Sequence, residues 1–251
     1  MRPIAVFQHA PDVLPGYFLE WAAARGLRCE VFHPYRGEPV PEDPRAFAGV
    51  CLMGGPMSVN DALPWIEAEL ALIRAADAAR IPVIGHCLGG QLLAKAFGAP
   101  VSRHRVKEIG WCEVTVTDAE VARRWLGDAA LTTFEVFQWH GETFAIPAGA
   151  RNFLASSLCA HQAFVLERDG FAHLGLQFHC EMTPELIHSW LAQPDWRDEI
   201  DAEGRATGGP GVQDAEAMLR QVQVRCTRMN TLAARLYDRW REGLCMEPAG
   251  R

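Results

Sequence analysis

The sequence predicts an α/β protein with a doubly wound, mostly parallel sheet, helices on both faces and a helical extension at the C-terminus. Over the first hundred residues, short apolar runs alternate with amphipathic stretches of about 10–15 residues, the pattern of parallel strands joined by crossover helices. Two glycine-rich turns, Gly54–Pro56 and Gly85–Gly90, directly follow apolar runs, and open α/β sheets bind ligands at the C-terminal ends of their strands. With 251 residues, 49% of them hydrophobic and 22% charged, the chain can bury a substantial core.

"PIAVFQ" (Pro3–Gln8) has strand length, and "YFLEWAAARG" (Tyr17–Gly26) carries apolar residues at helical spacing up to a terminating glycine. "LRCEVFH" (Leu27–His33) is a second strand, and "AFAGVCLMGGP" (Ala46–Pro56) a third that runs into a glycine turn. "WIEAELALIRAADAA" (Trp65–Ala79) is a helix, Ile81–Gly85 a fourth strand, and Leu88–Phe97 a helix closed by Gly98. From Trp111 to Gln177 the pattern changes to short strands, "WCEVTV", "TTFEVFQ", "AFVLER" and "AHLGLQF", which predict an antiparallel extension of the sheet. "TPELIHSWL" (Thr183–Leu191) starts a helix with Thr183 as N-cap and Pro184 at the first position. The polar segment "AQPDWRDEIDAEGRATGGPGV" reads as a loop, or as a short helix followed by a loop. Asp214 to Trp240 reads as one long helix. Residues 1–192 are expected to form one domain, with 193–251 packed on it as an extension.

The net charge of −7 and the absence of a Lys/Arg block argue against a nucleic-acid partner. The N-terminal apolar run is too short for a signal peptide, and no run approaches a membrane span, so no membrane partner and a cytoplasmic location are expected. Eight cysteines without a C-x-x-C pair read as reduced thiols. No histidine joins them at zinc-finger spacing, so neither a metal nor another cofactor is expected.

In "RIPVIGHCLGGQLLAKAFG" (Arg80–Gly98), glycines bracket one cysteine between a strand and a helix. A sharp turn there exposes Cys87 and sets helix-terminal N–H groups behind it, which suits a nucleophilic thiolate; a buried cysteine in an ordinary loop is the alternative. Such a nucleophile needs a base, a group that orients the base, and donors for an oxyanion. "LGLQFHCEMT" ends an apolar strand with His179, and in an extended segment Glu181 projects the same way, so its carboxylate can fix the imidazole tautomer. In "LMGGPMSVND" (Leu52–Asp61) the glycines let the backbone pass close to a ligand. The Gly55 and Leu88 amides form a candidate two-donor oxyanion hole, with an ordinary tight turn as the alternative.

"GHCLGGQ" resembles the G-x-C-x-G-x-Q nucleophile elbow of the class I (triad-type) glutamine amidotransferases. "QFHCE" resembles their F-H-P-E segment and "GGPMSV" their G-G-P-x-S-V oxyanion loop, in the family's order, with 92 positions from Cys87 to His179. "FQWHGETF" and "SSLCAHQAF" are similar to segments that line the glutamine pocket and precede the histidine strand. The likeness covers residues 3 to 192 and points to stand-alone proteins related to the amidotransferase domain of GMP synthase. It implies a flavodoxin-like fold with Cys87 as nucleophile, His179 as base and acid, and Glu181 as orienter. It further implies Gly55 and Leu88 as oxyanion amides, Gln91 as a glutamine contact, and backbone contacts at His140 and Gly141; for the His140 side chain a structural role is expected. Two places depart from the family. Cys180 replaces the usual proline, freeing the backbone and adding a thiol expected to be a bystander. Ala160 and His161 stand where relatives often have acidic and amide residues.

The implied reaction is attack of Cys87 on the γ-carboxamide of glutamine, giving ammonia, a thioester and then glutamate. About sixty residues remain beyond the core, without a phosphate-binding loop, so no synthetase domain is expected in the chain. Three functions remain open: a glutamine amidotransferase serving a synthetase subunit in trans, a γ-glutamyl peptide hydrolase, or a non-enzymatic interaction protein on the same fold.

Overall fold

The computed structural model describes residues 2–127, 130–207 and 211–246, without the side chains of 205–207. The described strands are β1 (Ile4–Phe7), β2 (Cys29–Phe32), β3 (Gly49–Leu52), β4 (Val83–His86), β5 (Val101–Val116), β6 (Thr133–Phe144), β7 (Arg151–Ser156), β8 (Ala163–Arg168) and β9 (Phe171–Leu176). They form one sheet in the order β2-β1-β3-β4-β9-β8-β7-β5-β6. The pairs from β2 to β9 are parallel, and those from β9 to β6 are antiparallel. This is the predicted doubly wound sheet with its antiparallel extension.

The buried strands β1 and β3 are apolar at every position because both faces are covered. Along β1, Ile4 and Val6 join one core while Ala5 and Phe7 join the other, as the two-residue period requires. The first core takes Phe18 and Trp21 from α1 (Tyr17–Ala24) and Leu236, Tyr237 and Trp240 from the C-terminal helix. The second takes Ile66, Leu70 and Ile73 from α2 (Pro64–Ala78) and Leu92 and Leu93 from α3 (Leu88–Ala96). Each such side chain removed from water contributes about 1.5–3 kcal/mol.

Several elements differ from the sequence expectation. β5 begins at Val101, ten residues ahead of Trp111; its first half is polar, and a register shift against β6 between Arg103 and Glu108 breaks the alternation. β7 was not expected, and neither was α4 (Ala119–Leu126), which starts where Asp118 Oδ1 accepts the Val121 N–H at 3.2 Å. α5 (Pro184–Ala192) follows its Thr183 cap as expected, with the Leu186 N–H donating to the threonine oxygen at 3.3 Å.

The polar segment after α5 is mostly helix, α6 (Pro194–Thr207). Its periodicity is weak because Ile200 is the buried apolar side chain that anchors it among the described residues. The expected long helix is two, α7 (Ala215–Leu219) and α8 (Val222–Arg241), separated at Gln221, whose φ of 55° interrupts the helix without a Gly or Pro signal.

Candidate active site

Cys87 joins β4 to α3 with φ 50° and ψ −107°, a conformation that costs a non-glycine residue on the order of 1–3 kcal/mol. The turn is therefore made by the cysteine itself. The surrounding glycines serve a different purpose, close approach. A Cβ on Gly85 would lie 2.3 Å from the Gly89 backbone, one on Gly89 2.2 Å from the Leu52 carbonyl oxygen, and one on Gly90 2.4 Å from that of Leu176. The first turn of α3 thus rests directly on β3, β4 and β9. The Cys87 N–H donates to Leu176 O at 2.8 Å, and the Gly89 N–H to Met53 O at 3.1 Å. Neither the Leu88 nor the Gly55 N–H bonds an acceptor among the described residues, and a Cβ on Gly55 would touch Leu88 Cδ2 at 2.8 Å.

β9 ends at Leu176, so His179 and Glu181 lie in a turn, not in the extended segment expected from the sequence. The turn brings the two together all the same: His179 Nδ1 donates to Glu181 Oε1 at 2.7 Å. Cys87 lines the same cavity as His179, its thiol donates to Trp139 O at 3.7 Å, and its sulfur favours charge on the imidazole. Trp190 packs edge-on against the imidazole, centroids 5.3 Å apart, and a Cβ on Gly54 would lie 2.6 Å from its Cε1. Burial opposes charge on His179, but the Glu181 carboxylate and the Cys87 sulfur raise it to about 10. Burial likewise opposes the Glu181 charge, and His179 and His86 hold that carboxyl below its ordinary value.

A cavity of about 610 Å³ opens onto Cys87 and His179, and Gly55, Gln91, His140 and Gly141 all lie on its wall. The Gln91 amide nitrogen donates to Glu142 O at 3.0 Å, which leaves its oxygen for a ligand. The His140 side chain is structural: Nε2 donates to Glu108 Oε2 and Nδ1 to Glu142 O, each at 3.0 Å. Sequence reasoning missed Gln177, whose Nε2 sits 3.9 Å from Cys87 Sγ, and it missed the wall formed by α6. Trp196 stacks on Trp190 at 4.6 Å, and Glu199 accepts from Lys107 Nζ at 2.7 Å and from Trp139 Nε1 at 2.8 Å.

His86, Cys180 and Glu181 place ligand atoms within 4.8 Å of one another. They suit a metal poorly, because the buried thiol stays protonated and His86 and Glu181 Oε1 bond other side chains, although Glu181 Oε2 is buried without a hydrogen-bond partner among the described residues. Burial pushes the Cys180 thiol up, His86 Nε2 bonds the Tyr237 hydroxyl at 2.9 Å, and Glu181 holds His179.

Known proteins are similar to this chain in sequence and fold. The family model "Glutamine amidotransferase class-I" matches residues 19–193. The glutamine amidotransferase-like protein YfeJ of Salmonella typhimurium is 31% identical over 76% of this chain and 80% of its own length. A GMP synthase of Aeromonas salmonicida is 28% identical over 78% of this chain, but only 37% of that enzyme is spanned. The crystal structure of a glutamine amidotransferase from Methylobacillus flagellatus superposes with a TM-score of 0.91 at 40% identity, covering 100% of this chain and 98% of that one. One from Thermotoga maritima has a TM-score of 0.82 at 25% identity, with 96% and 98% covered. The chain belongs to the class I glutamine amidotransferase family.

Proposed function

We propose that the protein is a cysteine-dependent amidohydrolase that cleaves the γ-carboxamide of glutamine through a thioester, residues 1–192 carrying the chemistry and Trp196, Glu199 and Glu203 of α6 adding to the wall of the site. The observation that carries this reading is the buried line Cys87–His179–Glu181 at the floor of a cavity. Glu181 fixes the His179 tautomer and favours the imidazolium, which holds Cys87 as thiolate. The sulfur attacks the γ-carbonyl, and the Gly55 and Leu88 amides receive the oxyanion; loss of one such donor raises a barrier by about 3–4 kcal/mol. His179 then protonates the departing nitrogen, and ammonia leaves as the thioester forms. Water gives a proton to His179 as it attacks, and collapse releases glutamate and the thiolate. The ammonia would serve a synthetase subunit docking over the site.

One observation favours a second reading, hydrolysis of γ-glutamyl peptides or amines. α6 lines the cavity with this chain's own Trp196 and Glu199, which could receive the larger leaving group of a γ-glutamyl peptide or amine. The test is glutamate release from glutamine, glutathione and γ-glutamyl amines. Turnover of glutamine alone supports the first reading, and preference for the larger substrates the second. Activity that survives Cys87→Ser overturns both and leaves an interaction protein on the same fold.

A further inference from the structure

We infer that the buried His9–Glu69 pair positions the Gly55 oxyanion donor, a role that rests on the amidohydrolase reading above. His9 lies just beyond the end of β1, beside the loop that follows β3, and its side chain and that of Glu69 have no exposed surface. His9 Nδ1 faces two carbonyl oxygens, Met53 O at 2.9 Å and Gly54 O at 3.2 Å, so it carries a proton. Nε2 faces both carboxylate oxygens of Glu69 at 3.1 Å, which draws a second proton onto the ring. Burial opposes that charge, but Glu69 and the two carbonyls hold His9 above its ordinary value. Trp65 stacks on the ring, 5.1 Å between centroids, and fixes its plane.

The consequence follows from peptide geometry. The Gly54–Gly55 peptide is trans and planar, so the Gly54 carbonyl and the Gly55 N–H point in opposite directions across one rigid plate. Holding the carbonyl toward His9 turns the N–H away from it, to the side where Gly55 lines the cavity with Cys87. A cation on that carbonyl also polarises the amide and strengthens the N–H as a donor. The neighbouring Met53 carbonyl is shared between His9 and the Gly89 N–H, so the same ring ties the oxyanion loop to α3. Gly55 is tightly enclosed here, since a Cβ would lie 2.7 Å from Met57 Sδ, 2.8 Å from Leu88 Cδ2 and 3.0 Å from His9 Cβ.

The test compares kcat, KM and the rate of Cys87 alkylation by iodoacetamide in the full chain and in His9→Leu, His9→Asn and Glu69→Gln. The asparagine amide nitrogen sits near the place of Nδ1 and keeps the donor. His9→Leu is expected to lower kcat roughly 10- to 100-fold, less than outright loss of an oxyanion donor, with KM and the alkylation rate within about threefold. His9→Asn is expected to recover most of that loss. Glu69→Gln, which keeps the shape and removes the charge, is expected to fall between them. The role is overturned if His9→Leu keeps its kcat, if kcat and alkylation fall together, or if asparagine does no better than leucine. Should the leucine variant fail to fold, Asn and Gln decide by the same criteria. A wild-type protein inactive on every γ-glutamyl amide overturns the functional reading itself, and with it this role.

Discussion

The His179 imidazole is the residue on which the site turns, because its environment separates it from an ordinary histidine. Its folded-state value of about 10 lies above the usual 6.5, so the folded protein binds a proton that the unfolded chain gives up. That stabilisation is complete below pH 6.5 and is lost as pH rises through 10. We expect His179 to titrate near pH 10 in an NMR titration, and Glu181→Gln to bring the midpoint down; an unmoved midpoint would show that Glu181 does not set it. Cys87→Ser should reduce glutamate release at least about 10³-fold while leaving the unfolding transition in place, since only the reacting atom changes. Both side chains were legible in the sequence from their position after apolar runs. What was not legible is how they meet. Glu181 reaches His179 through a turn, and Cys87 adopts a positive φ that no pattern of residue types announces.

At the scale of elements, α3 is held where it is by missing side chains. Gly89→Ala would drive a methyl group into the Leu52 carbonyl and should destabilise by about 3 kcal/mol in urea unfolding, with loss of activity. Gly98→Ala, with open space around it but φ 79°, should cost only about 1 kcal/mol and leave kcat unchanged. Equal effects would contradict the packing account. α8 braces the turn that carries His179 and Glu181. Asn230 Nδ2 donates to Cys180 O at 2.9 Å and to Met182 O at 3.1 Å, and the Cys180 sulfur lies 3.2 Å from the Tyr237 hydroxyl. These bonds grip the segment where the family's usual proline is absent. Asn230→Ala should therefore cost about 1–2 kcal/mol and lower kcat more than KM; a variant with wild-type kcat would show that the turn holds itself.

For the whole molecule, the decisive arrangement is α6 contributing Trp196, Glu199 and Glu203 to the wall of the cavity. Trp196→Ala and Glu199→Ala remove the stacked ring and the tether to Lys107 and Trp139. We expect them to raise KM for γ-glutamyl peptides several-fold more than KM for glutamine; parallel changes would place the leaving side elsewhere. No helix among the described residues is long and apolar enough to cross a membrane, and all eight cysteines are free. By itself the sequence determined the parallel half of the sheet and singled out Cys87, His179 and Glu181 as the candidate site, because continuous apolar runs and strand-end glycines report local structure and two-sided burial. Only the tertiary structure decided that the glycines serve close packing, that a polar segment is a helix forming the cavity wall, and that His9 and α8 support the site from behind. Those outcomes depend on contacts between segments far apart in the chain, for which neither period nor composition leaves a local trace.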